Sequence, residues 1–428
     1  MPDSKNSEIY KTVDHLFRQE SGKMVAVLTR IFGFPNIEQA EDIVQDTILK
    51  ALEVWKWGKV PDNPQAWLYQ SAKNKSIDII RRKKLKYKIE NEIAILLKSE
   101  YSLAPIVTEM FTVGEIKDSQ LRMMFACCHP SISPEAQITL MLKTLCGLSI
   151  KEIGNAFLTN EETINKRLYR TKEKIRADKI SLDYPGADTM PKRMDGVLKT
   201  LYLLFSEGYS SSHPEKLIRE DLCEEAMRMT ILLSENPKTN HPHTNALLAL
   251  MCYQVSRFNT RLDDKGLIIL LKDQDRSQWN KFLIEKGNEY MMRAAEGEMV
   301  HDFHIEAAIT SVHANSASFE KTNWKLILTL YNTLLDRTNN PMVALNRCLV
   351  LAEVEGYERA IEELNRMKGL SGNCYYNSSL GEMYLKTGDK EKAKIYFGKA
   401  LSLTSSNAET ELIRRKINLC LSAGRAGS

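Results

Sequence analysis

Residues 40–55 read AEDIVQDTILKALEVW. Ala40, Ile43, Val44, Thr47, Ile48, Ala51, Leu52 and Trp55 recur at intervals of three and four. That spacing predicts an amphipathic helix with these eight side chains facing a core. Similar periodicity runs through almost every segment. Strand-like alternation is nearly absent, and 13 prolines and 20 glycines interrupt 428 residues only sparsely. The expected fold class is therefore all-α. The opposite face of the same stretch is less ordinary. Asp42, Gln45, Asp46, Leu49 and Glu53 also share a helical face, so an acidic stripe containing a leucine stands in a chain of net charge +4.

The charge is divided along the chain. Residues 1–180 hold 28 Lys+Arg against 23 Asp+Glu, a net of +5, and the remainder holds 31 against 32, a net of −1. A basic front and a neutral back point to nucleic acid as a partner of the front. The length suggests two to four domains. The longest apolar runs, ALLALMCY at 246–253 and GLIILL at 266–271, are too short to span a bilayer. The first 30 residues lack the pattern of a signal peptide. No membrane partner and a cytoplasmic location, nucleoid-associated when in complex, are the expectation. The eight cysteines are scattered, as free thiols in a reducing compartment would be. Cys127, Cys128 and His129 are adjacent, a poor spacing for one metal, and His301, His304 and His313 read as surface or satisfied core residues. No metal or cofactor is expected.

Several breaks organise the helices. FPN at 34–36 interrupts, and Asn36 with Gln39 resembles a capping box for the following helix. KWGKVPDN at 56–63 reads as a loop, with Pro64 suited to the first turn of the next helix. Residues 89–118 are weaker and mixed, a linker with some helix. Residues 119–180 are helical again. LDYPGADTMP at 182–191 carries two prolines and a glycine, and the main boundary is placed there. Residues 192–428 read as long helices with short polar turns.

Residues 64–88 read PQAWLYQSAKNKSIDIIRRKKLKYK, with eight basic residues and one acid, Asp78, between Lys73 and Lys88. Such a helix can neutralise several phosphates. Trp67 and Tyr69 lie just upstream, near Trp57, and aromatics beside cations suit unstacked bases as well as duplex backbone. The plainer reading is that Trp67, Leu68, Ile77, Ile79 and Ile80 are core and Arg81 to Lys84 a solvated helix end.

Residues 149–176 read SIKEIGNAFLTNEETINKRLYRTKEKIR. Ser149 with Glu152 and Thr159 with Glu162 form two capping-box patterns. Two capped helices joined by a tight turn make a helix-turn-helix pattern. Ile153, Phe157, Ile164 and Leu168 are spaced to pack the pair together. The second helix then exposes Asn165, Lys166, Arg170 and Lys174, with Arg167 partly on that side. In a major groove its first half would reach base edges and its second half phosphates. The plainer reading is a helical hairpin with a basic solvent face.

Two basic helical modules, the first preceded by an acidic helix, resemble a bacterial RNA polymerase sigma factor. More narrowly, the chain resembles the extracytoplasmic-function group of the sigma-70 family. AEDIVQDTILKALEVW looks like region 2.2, NPQAWLYQSAKNKSIDIIRRKK at 63–84 like regions 2.3 and 2.4, and ETINKRLYRTKEKIR at 162–176 like the recognition helix of region 4. The resemblance implies region 2 at 1–88, a linker at 89–118 threading near the polymerase active site, and region 4 at 119–181. It makes Asp42, Gln45, Asp46, Leu49 and Glu53 the face that docks on core RNA polymerase, on the basic coiled coil of the largest subunit. It assigns Trp67, Lys73, Asn74, Lys75, Asp78, Arg81 and Arg82 to the −10 element and its melting. Asn165, Lys166, Arg167, Arg170 and Lys174 go to the −35 element of promoter DNA, with the polymerase flap region as a further contact. Leu158 stands where many region 4 turns carry glycine, so exact base contacts do not transfer.

Residues 192–428 exceed what a two-region sigma factor needs. Leu380, Gly381, Tyr384, Ala393, Phe397 and Ala400 match a tetratricopeptide repeat, and Leu351, Ala360 and Leu364 fall 33 residues before Tyr384, Ala393 and Phe397. Repeats are placed at about 341–404, a scaffold for a protein or ligand partner. YLLFSEGY at 202–209 and LKDQDRSQW at 271–279 resemble the subgroup with a tetratricopeptide-like extension. The resemblance implies regulation by that extension. Glu207, Gly208, Tyr209, Asp273, Gln274, Asp275, Arg276 and Trp279 are candidates for an interface or pocket. The plainer reading makes Asp275 with Gln278 a cap and Trp279 a core residue.

Two other functions compete with transcription initiation. A stand-alone helix-turn-helix regulator with a repeat-type sensor would leave residues 40–84 without a purpose. An enzyme with a DNA-binding front would need a phosphate loop, a metal cluster or a nucleophile-and-base pair, and none is legible, so the chain is not expected to be an enzyme.

Overall fold

The computed structural model describes residues 3–55, 60–86, 100–157, 159–211, 217–297, 299–404 and 406–422. The described residues form nineteen α-helices and no strand, an all-α protein. The chain divides into two compact units, residues 1–203 and 204–428. The division falls inside a helix, α9, beyond the proline-containing segment at 182–191.

The first unit runs α1 (Asp3–Phe32), a 3-10 turn (Phe34–Asn36), α2 (Ile37–Trp55), α3 (Pro64–Lys86), α4 (Glu100–Glu109), α5 (Val113–Cys127), α6 (Pro134–Thr144), α7 (Ile150–Ala156) and α8 (Glu161–Ala177). It ends in the first part of α9 (Met190–Tyr209). Its centre is α1. Met24, Val25, Ala26, Val27 and Leu28 are consecutive and all buried, so α1 is covered on every side. It packs on α2 and α3 and also on α5 and α6. Gly22 permits the last approach. A Cβ there would lie 2.0 Å from the Leu145 carbonyl oxygen, backbone against backbone, so only glycine fits. Arg18–Glu152 at 2.6 Å and Arg30–Glu115 at 2.6 Å tie α1 to α7 and α5.

α2 buries Ala40, Ile43, Val44, Thr47, Ala51 and Trp55 as its spacing requires. Leu52 is a correction. It lies at the margin of the apolar stripe and is 43% exposed, and Ile48 is half-buried. Trp55 fills the end of the core instead, stacked on Phe17 at 5.4 Å. The caps also differ in detail. Ser149 and Glu152 form the reciprocal box, with bonds of 2.7 and 3.2 Å. The cap of α8 is Asn160, which accepts from the Thr163 amide at 2.8 Å, so Thr159 is displaced from that role. Asn36 turns its amide back to the Phe32 carbonyl at 2.7 Å. Leu158 and Trp57 lie outside the described residues, as do Tyr87 and Lys88 of the basic stretch and residues 89–99 of the expected linker.

The second unit takes the end of α9 and then α10 (Glu220–Glu235), α11 (Pro242–Val255), α12 (Lys281–Ala294), α13 (Asp302–Ala314) and α14 (Trp324–Thr338). It closes with α15 (Pro341–Glu355), α16 (Tyr357–Arg366), α17 (Cys374–Lys386), α18 (Lys390–Leu403) and α19 (Asn407–Ser422). α11 is buried around its whole circumference from Thr244 to Tyr253. From α14 onward each helix packs chiefly on its chain neighbours. The α17–α18 hairpin closes because Gly381 leaves room for the Phe397 ring, 2.7 Å from where a Cβ would sit. All eight cysteines are free, and burial pushes the Cys128 thiol up to about 12. No described helix is long and apolar enough to cross a membrane.

Candidate nucleic-acid interface

The acidic stripe of α2 is built as its periodicity dictates. Asp42, Gln45, Asp46, Leu49 and Glu53 are all exposed, and Leu49 and Leu52 present apolar surface among the carboxylates. Asp46 is ion-paired with Lys75 of α3, so the acidic stripe and the basic helix adjoin.

α3 buries Leu68, Ala72, Ser76, Ile77 and Ile80 and turns Asn74, Asp78, Arg81 and Arg82 to solvent. Lys73 is half-buried, with its ammonium 5.5 Å from the Phe111 ring centroid. Trp67 is half-buried and edge-on to Trp55 at 5.4 Å, so most of its ring serves the core. Tyr69 is tied down as well. Its hydroxyl donates to Glu20 at 2.5 Å, and burial followed by that carboxylate pushes the phenol far above its ordinary range.

On α8, Ile164, Leu168, Thr171 and Ile175 are buried, while Asn165, Lys166, Arg170 and Lys174 are exposed. Lys166 and Lys174 make surface pairs with Glu162 at 2.6 Å and Asp178 at 3.0 Å, which contribute little. Arg167 is turned inward. It donates to Thr139 Oγ1 at 3.1 Å and lies 5.8 Å from the Phe157 ring, so it holds α8 to α6. A groove of about 520 Å3 runs between α8 and the start of α6, lined by Ser131, Ser133, Thr163, Lys166, Arg170 and Lys174. Cations and hydroxyls beside the N-terminal end of α6 suit a phosphate backbone.

In the second unit, Ser211 donates to Glu207 at 3.1 Å, and a side chain at Gly208 would meet Cys223 Sγ at 2.7 Å. The Tyr209 carbonyl accepts from Arg261, whose guanidinium sits 3.8 Å from the Tyr209 ring centroid. Gln274 is buried and accepts from Arg257 at 3.2 Å. Asp273 is exposed. Asp275 caps a short 3-10 turn through the Ser277 amide at 2.9 Å, and it also accepts from Gln278 at 3.0 Å. Trp279 is buried. Arg276 donates to the His313 and Ser316 carbonyls, each at 2.9 Å, at the end of α13.

Residues 16–85 match sigma-70 region 2. The chain therefore carries a sigma-70 region 2 domain. Residues 193–295 match a family of unknown function, DUF6596. The uncharacterized protein R00370 of Rhizobium meliloti is 31% identical over 389 residues, 90% of each chain, and the two belong to one family. The ECF RNA polymerase sigma factor SigW of Bacillus subtilis is 25% identical over 158 residues, 36% of this chain and 81% of SigW. No solved structure matches.

The region 2 match takes in α2 and all of α3 but its last residue, Lys86. Sequence reasoning missed the opposite face of α8. Lys172 reaches Glu41 at 2.6 Å and Glu38 at 3.8 Å, and Arg176 pairs with Glu38 and donates to the Pro35 carbonyl at 3.4 Å. Lys172 and Glu41 are largely buried in this contact. The second half of α8 is therefore seated on the start of α2. The spacing of Lys172 and Arg176, off the phase of Arg170 and Lys174, marks a separate face but not what it meets.

Proposed function

We propose that the protein is a sigma factor of the extracytoplasmic-function type. It binds core RNA polymerase, recognises −35 and −10 promoter elements, promotes melting, and is regulated by its helical extension. The observation that carries this reading is the exposed stripe Asp42, Gln45, Asp46, Leu49 and Glu53 on a helix inside the region 2 match. Carboxylates steer and orient a basic partner, while Leu49 and Leu52 supply the apolar anchor. α3 offers Asn74, Lys75, Asp78, Arg81 and Arg82 to the −10 element, with Trp67 and Lys73 set deeper. The groove between α6 and α8 offers Asn165, Lys166, Arg170 and Lys174 to duplex at the −35 element. In this reading residues 119–181 act as region 4, and the tetratricopeptide-like helices at 341–404 carry regulation.

Geometry adds a requirement. The two elements are centred about 25 base pairs apart by name, or about 85 Å of duplex. α2 has 19 residues and is about 28 Å long. With α8 seated on the start of α2, the two DNA-binding faces cannot span that distance, so engaging both separates Lys172 and Arg176 from Glu38 and Glu41.

The test is co-migration of the purified chain with core polymerase on a sizing column, without DNA. Wild type is expected to co-migrate and Asp42→Lys/Asp46→Lys to elute free. Because Asp46 also pairs with Lys75, Asp42→Lys/Glu53→Lys is the companion variant. Normal co-migration of both folded variants would sink the docking assignment. Arg170→Ala should weaken the promoter footprint while co-migration persists.

A further inference from the structure

We propose that Arg257, Arg261 and Arg276 of the second unit form a binding site for a phosphate group. The three stand around one loop. The Arg257 and Arg276 guanidinium carbons lie 5.4 and 4.9 Å from the Trp279 ring centroid, and that of Arg261 lies 3.8 Å from the Tyr209 ring centroid. Among the described residues none of the three has a carboxylate within ion-pair distance.

A guanidinium carries five N–H donors. Arg257 uses one, to Gln274 at 3.2 Å, and Arg261 uses one, to the Tyr209 carbonyl. Arg276 is better supplied, with two carbonyls and Thr322 Oγ1 at 3.1 Å, yet its Nε is buried without a partner. Trp279 is 3% exposed, and its indole N–H is also buried and unpartnered, as is Nδ1 of His313. Buried donors are rarely left unpaired, and buried cations rarely lack a counter-charge. Here unpartnered buried donors stand beside three half-buried arginines. Burial also holds the Arg261 guanidinium below its ordinary value.

The donor set selects the ligand. Clustered planar forks match an oxyanion with several oxygens and more than one charge. A nucleobase is disfavoured, because Trp279 is buried beneath two guanidiniums and Tyr209 carries Arg261 while stacking on Phe205 at 6.0 Å. Arg257, Arg261, Arg276 and Trp279 all fall within residues 193–295, the segment matching the family of unknown function. The site does not depend on the sigma-factor reading.

Calorimetric titration of the full chain at matched ionic strength tests this, with inorganic phosphate, pyrophosphate and glycerol phosphate as probes and acetate as comparison. At least one phosphate probe is expected to bind saturably and acetate not to bind. Tighter inorganic phosphate would identify the free ion, and tighter glycerol phosphate a phosphorylated metabolite. Arg257→Gln loses only one side-chain bond and should weaken binding at least tenfold with an unchanged melting profile. Arg261→Gln should do the same, and Arg293→Gln, an exposed control, should not. Absence of saturable binding, equal binding of acetate, or undiminished binding by a folded Arg257→Gln variant would overturn the proposal.

Discussion

Arg170 and Lys172 stand two positions apart on α8 and meet different surroundings. Arg170 lies in the open groove, and Lys172 is largely covered by Glu41. Helical phase separates them, and that phase is legible in the sequence. Arg167 is less so: read as partly on the DNA side, it bonds Thr139, a residue 28 positions away. His313 is the residue whose environment makes the clearest pH statement. Burial, then Arg257 and Arg276, lowers its pKa from 6.5 to about 4. The unfolded chain therefore takes up this proton at higher pH than the folded one. The effect vanishes above about 6.5, and stability falls as pH drops from there to about 4, by on the order of 3 kcal/mol in full. His313→Gln should lose less stability than wild type between pH 7 and pH 4.5, read from urea midpoints. Equal losses would mean that His313 does not carry this titration.

At the scale of elements, helix existence and buried faces were readable from spacing alone, because each repeats every three or four residues. Margins were not: Leu52 sits at the edge of its stripe, and only Trp55 stacking on Phe17 decides which side chain closes the core. The α2–α8 contact rests on a covered ion pair, so its members should be coupled. Glu41→Gln and Lys172→Met are each expected to cost about 1–3 kcal/mol, since each strands a largely buried partner. The double variant should cost clearly less than their sum, with a coupling above about 0.5 kcal/mol in chemical denaturation. Strict additivity would mean that the pair does not join the two helices in solution.

For the molecule as a whole, and in the proposed reading, the same contact sets which surface is open to DNA. If α8 must leave α2 to reach duplex, loosening it should help. Glu38→Gln/Glu41→Gln is expected to bind a duplex carrying the −35 element several-fold tighter than wild type, by fluorescence anisotropy at fixed salt. Equal affinity would show that the seated helix does not limit DNA binding. The sequence by itself determined the all-α class, the acidic face of α2, the exposed cations of α3 and α8 and the helical hairpin at 374–403. Each of those depends on local periodicity and on side chains within a turn or two. Only the tertiary structure decided that α1 is enclosed on all sides, that Lys172 meets Glu41 across 131 residues, and that three arginines gather around Trp279 and Tyr209 with no ion-paired carboxylate among the described residues. Long charged side chains satisfy many partners equally well in a linear pattern, so their pairing is set by packing.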